Sequence, residues 1–136
     1  MTPAEARARF EKAPVAHLAT VGADGAPHLV PVAFALDADR IVTAVDGKPK
    51  RGTPLRRFEN VADNPRVSLL VDAYDADWTR LWWARADGRA SIVADGADLE
   101  GALAALRARY PQYATVSLTG PAIVIAVDRW SGWSAT

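Results

Sequence analysis

The sequence has 136 residues, half of them hydrophobic, and its 16 Lys and Arg residues are balanced by 16 Asp and Glu residues. This length and composition predict a single folded domain spanning residues 1–136. A neutral chain lacks the broad basic face of nucleic-acid-binding proteins, so nucleic acid is not an expected partner. The chain contains no cysteine, which excludes disulfides and thiol catalysis. No apolar run approaches the roughly 20 residues of a membrane span, so we expect no membrane contact and a cytoplasmic location.

The first half of the sequence predicts one helix and three strands. Thr2 and Pro3 are typical of a helix N-cap and first turn, and AEARARFEKA follows them. Strands are predicted over residues 15–21, 28–36 and 40–45, with the turn segment GADGAP after the first. Because such short links join antiparallel neighbours, the three strands are predicted to form a meander.

The second half predicts further strands and two helices. Thr53 and Pro54 indicate the start of a helix over residues 54–62, and Asp98 indicates a helix whose Leu99, Leu103 and Leu106 share one face. Strands are predicted over residues 66–72, buried on both faces, and over 122–128. Residues 78–94 are predicted to form one long strand or a strand pair bent at Asp87-Gly88, where glycine permits a bulge or a turn. This order of elements predicts an α+β domain built on a closed or partly closed antiparallel β-barrel.

Positive charge is concentrated between residues 48 and 66, in the stretch KPKRGTPLRRFENVADNPR. Its basic residues are Lys48, Lys50, Arg51, Arg56, Arg57 and Arg66. A turn-rich basic loop that leads into a helix N-terminus favours a bound anion such as phosphate, because the helix dipole adds to the side-chain charge. A solvated basic surface is the alternative interpretation.

Other polar residues give little indication of chemistry. His17 and His28 are interpreted as solvated strand residues, and no metal site is predicted. Asp72, Asp75 and Asp77 are interpreted as turn formers and caps, and no side chain is predicted to be catalytic.

Five tryptophans indicate either core and dimer packing or a flat aromatic ligand. On a single strand, Trp78 and Trp82 would share one face and Trp83 would lie on the other. An aromatic-rich barrel with an anion site suits a ligand that has a flat ring and an anionic tail. A flavin, a nucleotide and a pyridoxal-type ligand all fit that description.

Three segments together resemble the pyridoxamine 5′-phosphate oxidase-like flavin-binding family. They are LATVGADGAPHLVPVAF at 18–34, the basic stretch up to NPRVSLLVD at 64–72, and LWWARADGRA at 81–90. Within the family the chain is most similar to small actinobacterial members that use the deazaflavin coenzyme F420. The resemblance implies an antiparallel, Greek-key-like split β-barrel of the FMN-binding type, forming a homodimer with two cofactor sites at the subunit interface.

The resemblance also implies which residues bind the cofactor. Relatives grip the phosphate with the first residue of a K-x-x-N-L pattern, which here reads Arg57-Phe58-Glu59-Asn60-Val61. The expected cofactor-binding set is Lys50, Arg51, Arg56, Arg57, Asn60, Trp78, Trp82, Trp130 and Trp133. Coenzyme F420 is favoured over FMN because its phosphate and glutamate tail is more anionic, and because the Ala-, Arg-, Val- and Asp-rich composition fits high-GC bacteria.

The implied function is F420-dependent oxidation–reduction, with hydride transfer from the reduced deazaflavin to a small-molecule acceptor that the sequence does not identify. An FMN-dependent oxidoreductase and a non-catalytic F420 carrier are the alternatives. Pyridoxamine phosphate oxidation itself is not expected, because relatives with that activity are longer and carry basic residues near the C-terminus, whereas no Lys or Arg follows Arg129 here.

Overall fold

A computed structural model describes residues 1–46 and 55–136 of the chain. The helices are α1 (Pro3–Lys12), α2 (Arg56–Asp63) and α3 (Gly96–Arg109). The strands are β1 (Ala16–Val21), β2 (Pro27–Val32), β3 (Ala35–Asp37), β4 (Arg40–Asp46), β5 (Arg66–Ala73), β6 (Trp82–Val93) and β7 (Leu118–Ser134). Two 3₁₀ turns, Trp78–Arg80 and Pro111–Ala114, precede β6 and β7 respectively.

The seven strands form one antiparallel sheet in the order β2-β1-β5-β6-β7-β4-β3. Its two end strands, β2 and β3, are separated along the chain only by Ala33 and Phe34. Three peptide units span at most about 11 Å, so the sheet must curl until its two edges lie close together. The result is the predicted split barrel, with its seam between β2 and β3.

The predicted meander is wrong, because the strand predicted over 28–36 breaks in two. Its first part pairs with β1 and its second with β4, at opposite ends of the sheet. At the break, Phe34 N–H donates to the Tyr110 hydroxyl (3.0 Å), which in turn donates to Phe34 C=O (2.9 Å). A side chain from the end of α3 therefore replaces the ladder partner that a continuous strand would need.

The prediction that β5 is buried on both faces is also wrong. Val67, Leu69 and Val71 are buried, whereas Ser68 and Leu70 between them are only half-buried. The bend predicted at Asp87-Gly88 is confirmed as a β-bulge, where the β6–β7 register shifts. Gly88 is required there because a Cβ would lie 2.3 Å from the Ala126 carbonyl oxygen.

The helix start predicted from the sequence agrees with the structure only at α1. Thr2 and Glu5 form a reciprocal capping box there. Helix α2 begins at Arg56 after Leu55, two residues later than predicted, and Thr53 and Pro54 lie outside the described residues. Helix α3 begins at Gly96, so Asp98 lies in its first turn and is not the cap.

Two apolar clusters stabilise the domain. The larger fills the barrel and includes Phe10 of α1, Phe58 and Val61 of α2, and the inward side chains of the strands. The smaller lies between α3 and strands β3, β4 and β7; it contains Leu99, Leu103 and Leu106, as the helical spacing predicted. Within the described residues no helix is long and apolar enough to span a membrane.

Candidate functional site

The first turn of α2 presents two arginines. Arg56 is exposed and makes an ion pair of 3.9 Å with Glu59. Arg57 is half-buried, and its guanidinium lies 5.7 Å from the centroid of the Phe58 ring. Leu55 at the N-cap provides no side-chain hydrogen bond to the helix. Backbone N–H groups of the first turn and two guanidinium groups therefore favour an anion at this end of α2.

Asn60 fixes α2 against the barrel. Its side chain is buried, and Nδ2 donates a hydrogen bond of 3.0 Å to the Thr20 hydroxyl of β1. Its Oδ1 lies 2.5 Å from the position that a Cβ would take at Gly22, so only glycine allows this approach. Asn60 thereby positions the two arginines relative to the β1–β2 turn.

A cavity of about 220 Å³ lies between α2 and this turn. It is lined by Asp24, Ala26, Pro27, His28, Arg56 and Asn60. Asp24 stabilises the turn by accepting a hydrogen bond of 3.0 Å from the Ala26 N–H. The side chains of Arg56, His28 and Asn60 thus surround a volume that suits one small polar group.

His28 was missed as a site residue. It is half-buried, faces Thr20 across the β1–β2 pair, and its buried Nδ1 has no hydrogen-bond partner among the described residues. The interpretation of His28 as a solvated strand residue is therefore wrong, whereas His17 is exposed as predicted. The sequence does contain an indication of this position. In the β1–β2 hairpin His28 pairs directly with Thr20, the residue that Asn60 binds.

A second cavity of about 560 Å³ lies where β1, β5, β6 and β7 meet near the bulge. It is lined by Ala19, Thr20, Val21, Pro27, Arg66, Val67, Ser68, Asp87, Gly88, Arg89 and Asp128. Ser68 Oγ donates to Asp87 Oδ1 (2.5 Å), and Arg85 Nε donates to Asp87 Oδ2 (3.0 Å). Pro27 lines both cavities, so they adjoin at the start of β2.

Trp82 and Trp130 face α1. The Arg9 guanidinium lies 4.5 Å from the Trp82 ring centroid, and Phe10 meets Trp130 edge-on at 5.2 Å. Trp78 lies in the 3₁₀ turn before β6 and is 70% exposed. The prediction that Trp78 and Trp82 share a strand face is therefore wrong, because Trp78 precedes the strand.

Trp83 and Trp133 are directly opposite each other in the β6–β7 ladder, on the face turned away from α1. Trp133 is 47% exposed, and the Arg85 guanidinium lies 5.5 Å from the Trp83 ring centroid. The structure thus places Trp133 away from Trp82 and Trp130. Its neighbour is Trp83, a residue that the expected cofactor site did not include.

The expected cofactor residues do not form one site within the described part of the chain. Arg56 and Asn60 line the smaller cavity, and Arg57 is adjacent to Arg56 on the same helical turn. None of the four expected tryptophans lines either of the two cavities described above. Lys50 and Arg51 lie outside the described residues.

The acidic residues before β6 have structural roles, as predicted. Asp75 Oδ1 accepts from Asp77 N–H (2.8 Å), and Asp77 Oδ1 accepts from the Thr79 hydroxyl (2.7 Å) and N–H (3.0 Å). The Thr79 hydroxyl, followed by its N–H, lowers the pKa of the Asp77 carboxyl. No three His, Asp or Glu side chains are grouped as metal ligands in the described ranges.

A split antiparallel barrel with a basic helix at its β1–β2 turn defines a class of small cofactor-binding barrels. A family model described as pyridoxamine 5′-phosphate oxidase matches residues 2–134, and the chain belongs to this family.

Two solved structures show the same fold. A conserved hypothetical protein from Mycobacterium tuberculosis is 22% identical with a TM-score of 0.74, over 99% of this chain and 86% of that one. An FAD-binding protein from Mesorhizobium loti is 21% identical with a TM-score of 0.71, over 97% of this chain and 92% of that one. These likenesses confirm the predicted split barrel.

A segment of 55 residues is 47% identical to the 5a,11a-dehydrotetracycline/5a,11a-dehydrooxytetracycline reductase of Streptomyces rimosus. The match covers 40% of this chain and 37% of the reductase. A Streptomyces relative fits the resemblance to actinobacterial members of the family.

Proposed function

We propose that this protein is an F420-dependent oxidoreductase that reduces a small conjugated acceptor. The observation that carries the proposal is the first turn of α2, where Arg56 lines a cavity whose wall Asn60 fixes in place and Arg57 follows on the same turn. This arrangement provides positive charge and backbone donors at one point, as a phosphate requires.

The residues present fit the phosphate end of the coenzyme. Arg57 would hold the phosphate, since a guanidinium can donate two parallel hydrogen bonds to it, and Arg56 would add a second positive charge. Lys50 and Arg51 are proposed to contact the phosphate or the glutamate tail. The orphaned His28 Nδ1 at the same cavity is consistent with a site whose polar atoms are arranged for a ligand.

The ring end of the site requires a second subunit. Trp78 and Trp133 are exposed, whereas Trp82 and Trp130 are held against α1. We therefore propose a homodimer in which exposed tryptophans of one subunit cover the ring bound to the other. Burial of these side chains would also exclude water from the reacting centre.

When bound, the reduced deazaflavin supplies the hydride from its own ring. The protein's contribution is then to orient the ring and the acceptor, and no side chain is proposed as a catalytic base. The candidate carboxylates agree with this: Asp75 and Asp77 serve as turn and cap acceptors, and both oxygens of Asp87 accept hydrogen bonds.

The partial likeness to a Streptomyces reductase supports a reductive role. An FMN-dependent oxidoreductase is the alternative that uses the same basic turn, since FMN also ends in a phosphate. A non-catalytic carrier of F420 is the alternative from another class, and binding alone would not separate it from an enzyme.

Steady-state oxidation of reduced F420 tests the proposal. The purified protein is mixed with the reduced coenzyme and a panel of enones, biliverdins and 5a,11a-dehydrotetracycline, and coenzyme absorbance is followed. We expect turnover with at least one acceptor, and much slower turnover in an otherwise equal reaction with Arg57→Ala at low coenzyme concentration. Tight binding without turnover of any acceptor would favour the carrier, and yellow protein stoichiometric in FMN would favour the flavin enzyme.

A further inference from the structure

We propose that the larger cavity contains an oxyanion subsite, formed by Arg66 and Arg89, that takes a carboxylate or phosphate group. It is separate from the basic turn of α2 and goes beyond the function proposed above. The cavity, about 560 Å³, is large enough for a ligand group well beyond a single water molecule.

The two arginines face each other across neighbouring strands. Arg66 of β5 is the direct ladder partner of Arg89 of β6, and both side chains are exposed at the cavity wall. Like charges placed directly opposite on a sheet destabilise it. A bound anion between the two guanidinium groups would remove that repulsion.

The nearby carboxylates leave this charge only partly compensated. Asp87 is engaged on both oxygens, by Ser68 and by Arg85, as described above. Asp128 pairs with Arg89 at 3.2 Å. The cavity lining holds two arginines and two aspartates, but Arg85, which lies outside the lining, already pairs with Asp87. The guanidinium of Arg66 is therefore left without an ion pair among the described residues.

The position of the subsite allows two sources for the anion that it binds. Pro27 lines both cavities, and Thr20, which lines the larger one, holds Asn60 at the basic turn. A molecule anchored at α2 could therefore extend its acidic tail toward Arg66. A carboxylate on a separate molecule could enter the same cavity directly, and the chemistry of recognition would be identical.

Binding of γ-glutamylglutamate, followed by calorimetry at low salt, tests the subsite without any coenzyme. We expect Arg66→Gln and Arg89→Gln each to weaken binding about two- to fivefold, the scale of an exposed ion pair. Arg80→Gln, which removes an exposed arginine from the 3₁₀ turn outside the cavity, should bind like the parent. No binding to the parent, or binding by both cavity variants as tight as that of the parent, would overturn the proposal.

Coenzyme F420 and a truncated form ending at the phosphate identify the source of the anion. If the tail occupies the subsite, Arg66→Gln weakens binding of the long form and leaves that of the truncated form unchanged. If a separate molecule occupies it, both coenzyme forms bind to Arg66→Gln as they bind to the parent, while binding of the dipeptide is still weakened. These outcomes are independent of turnover, so failure of the proposed function would not mimic failure of the subsite.

Thermal unfolding provides a readout that does not involve a ligand. Because Arg66→Gln removes one of two facing positive charges, we expect it to unfold at no lower temperature than the parent in low salt. A clear loss of stability would show that the Arg66 guanidinium already makes favourable contacts in the ligand-free protein, which contradicts the subsite.

Discussion

At the scale of single residues, the candidate site depends on a buried amide. Asn60 is buried, where an unsatisfied polar side chain would cost free energy, and its hydrogen bond to Thr20 compensates that cost. The same side chain requires glycine at position 22. The arginines of α2 thus owe their position to a residue that need not touch the ligand.

Arg57→Ala should weaken coenzyme binding by about 1.5–3 kcal/mol, the usual scale for a hydrogen bond to a charged group. This corresponds to a roughly 10- to 150-fold increase in the dissociation constant. Fluorescence titration of F420 measures it, with Arg80→Ala as the control because Arg80 is exposed and lies in the 3₁₀ turn. Lys50→Ala and Arg51→Ala should have smaller effects that fade with added salt. An Arg57 variant that binds like the parent would leave the basic stretch as a solvated surface.

At the scale of elements, two glycines differ in the space that the structure leaves for a side chain. Gly88 forms the β6 bulge, where a Cβ would meet the backbone of Ala126 at 2.3 Å. Gly101 lies inside α3, where the nearest atom to a Cβ is 3.9 Å away. The same substitution should therefore have opposite effects at the two positions.

Gly88→Ala is expected to destabilise the protein by about 1–3 kcal/mol, the range for overpacking, because backbone atoms cannot move aside as a side chain would. Gly101→Ala is expected to stabilise it by about 0.5–1 kcal/mol, because alanine is the better helix former. Urea unfolding of both variants and the parent measures the difference. Equal stability of the two variants would show that the bulge tolerates a Cβ.

Local signals predicted elements better than they predicted the connections between them. Turn segments and leucine spacing were sufficient to predict most helices and strands and the bulge at Gly88, whereas the predicted cap was correct only at α1. The break at Phe34 depends on Tyr110, 76 positions away, and no local pattern reveals it. For His28 the hairpin indicates only the pairing with Thr20, whereas Arg56 and Asn60 reach its cavity through the fold.

At the scale of the whole molecule, one sheet face remains open within a single chain. Trp83 and Trp133 lie on it, and Leu29, on the same side of β2, is 66% exposed. Small soluble domains rarely leave such apolar side chains exposed together. We therefore propose that a second copy of the chain covers this face.

Light scattering at micromolar concentration should therefore give twice the 14.6 kDa mass of the chain. Trp133→Glu should shift the protein toward monomer, because a carboxylate would be buried without a partner at the interface. Val116→Glu, at an exposed position 41% accessible and on the α3 side, should leave the dimer intact. A monomer mass for the parent with coenzyme bound would contradict the proposed ring pocket.

The identity of the cofactor is tested most directly by competition between F420 and FMN for the purified protein. Because the F420 tail is more anionic and the basic stretch would meet it, F420 should bind more tightly, at one molecule per subunit, with an advantage that shrinks as salt is added. The Arg57→Ala variant should lose affinity for both ligands, since both carry a phosphate on the side chain of the ring. Tighter binding of FMN at every salt concentration, or binding of neither ligand, would contradict an F420-dependent oxidoreductase.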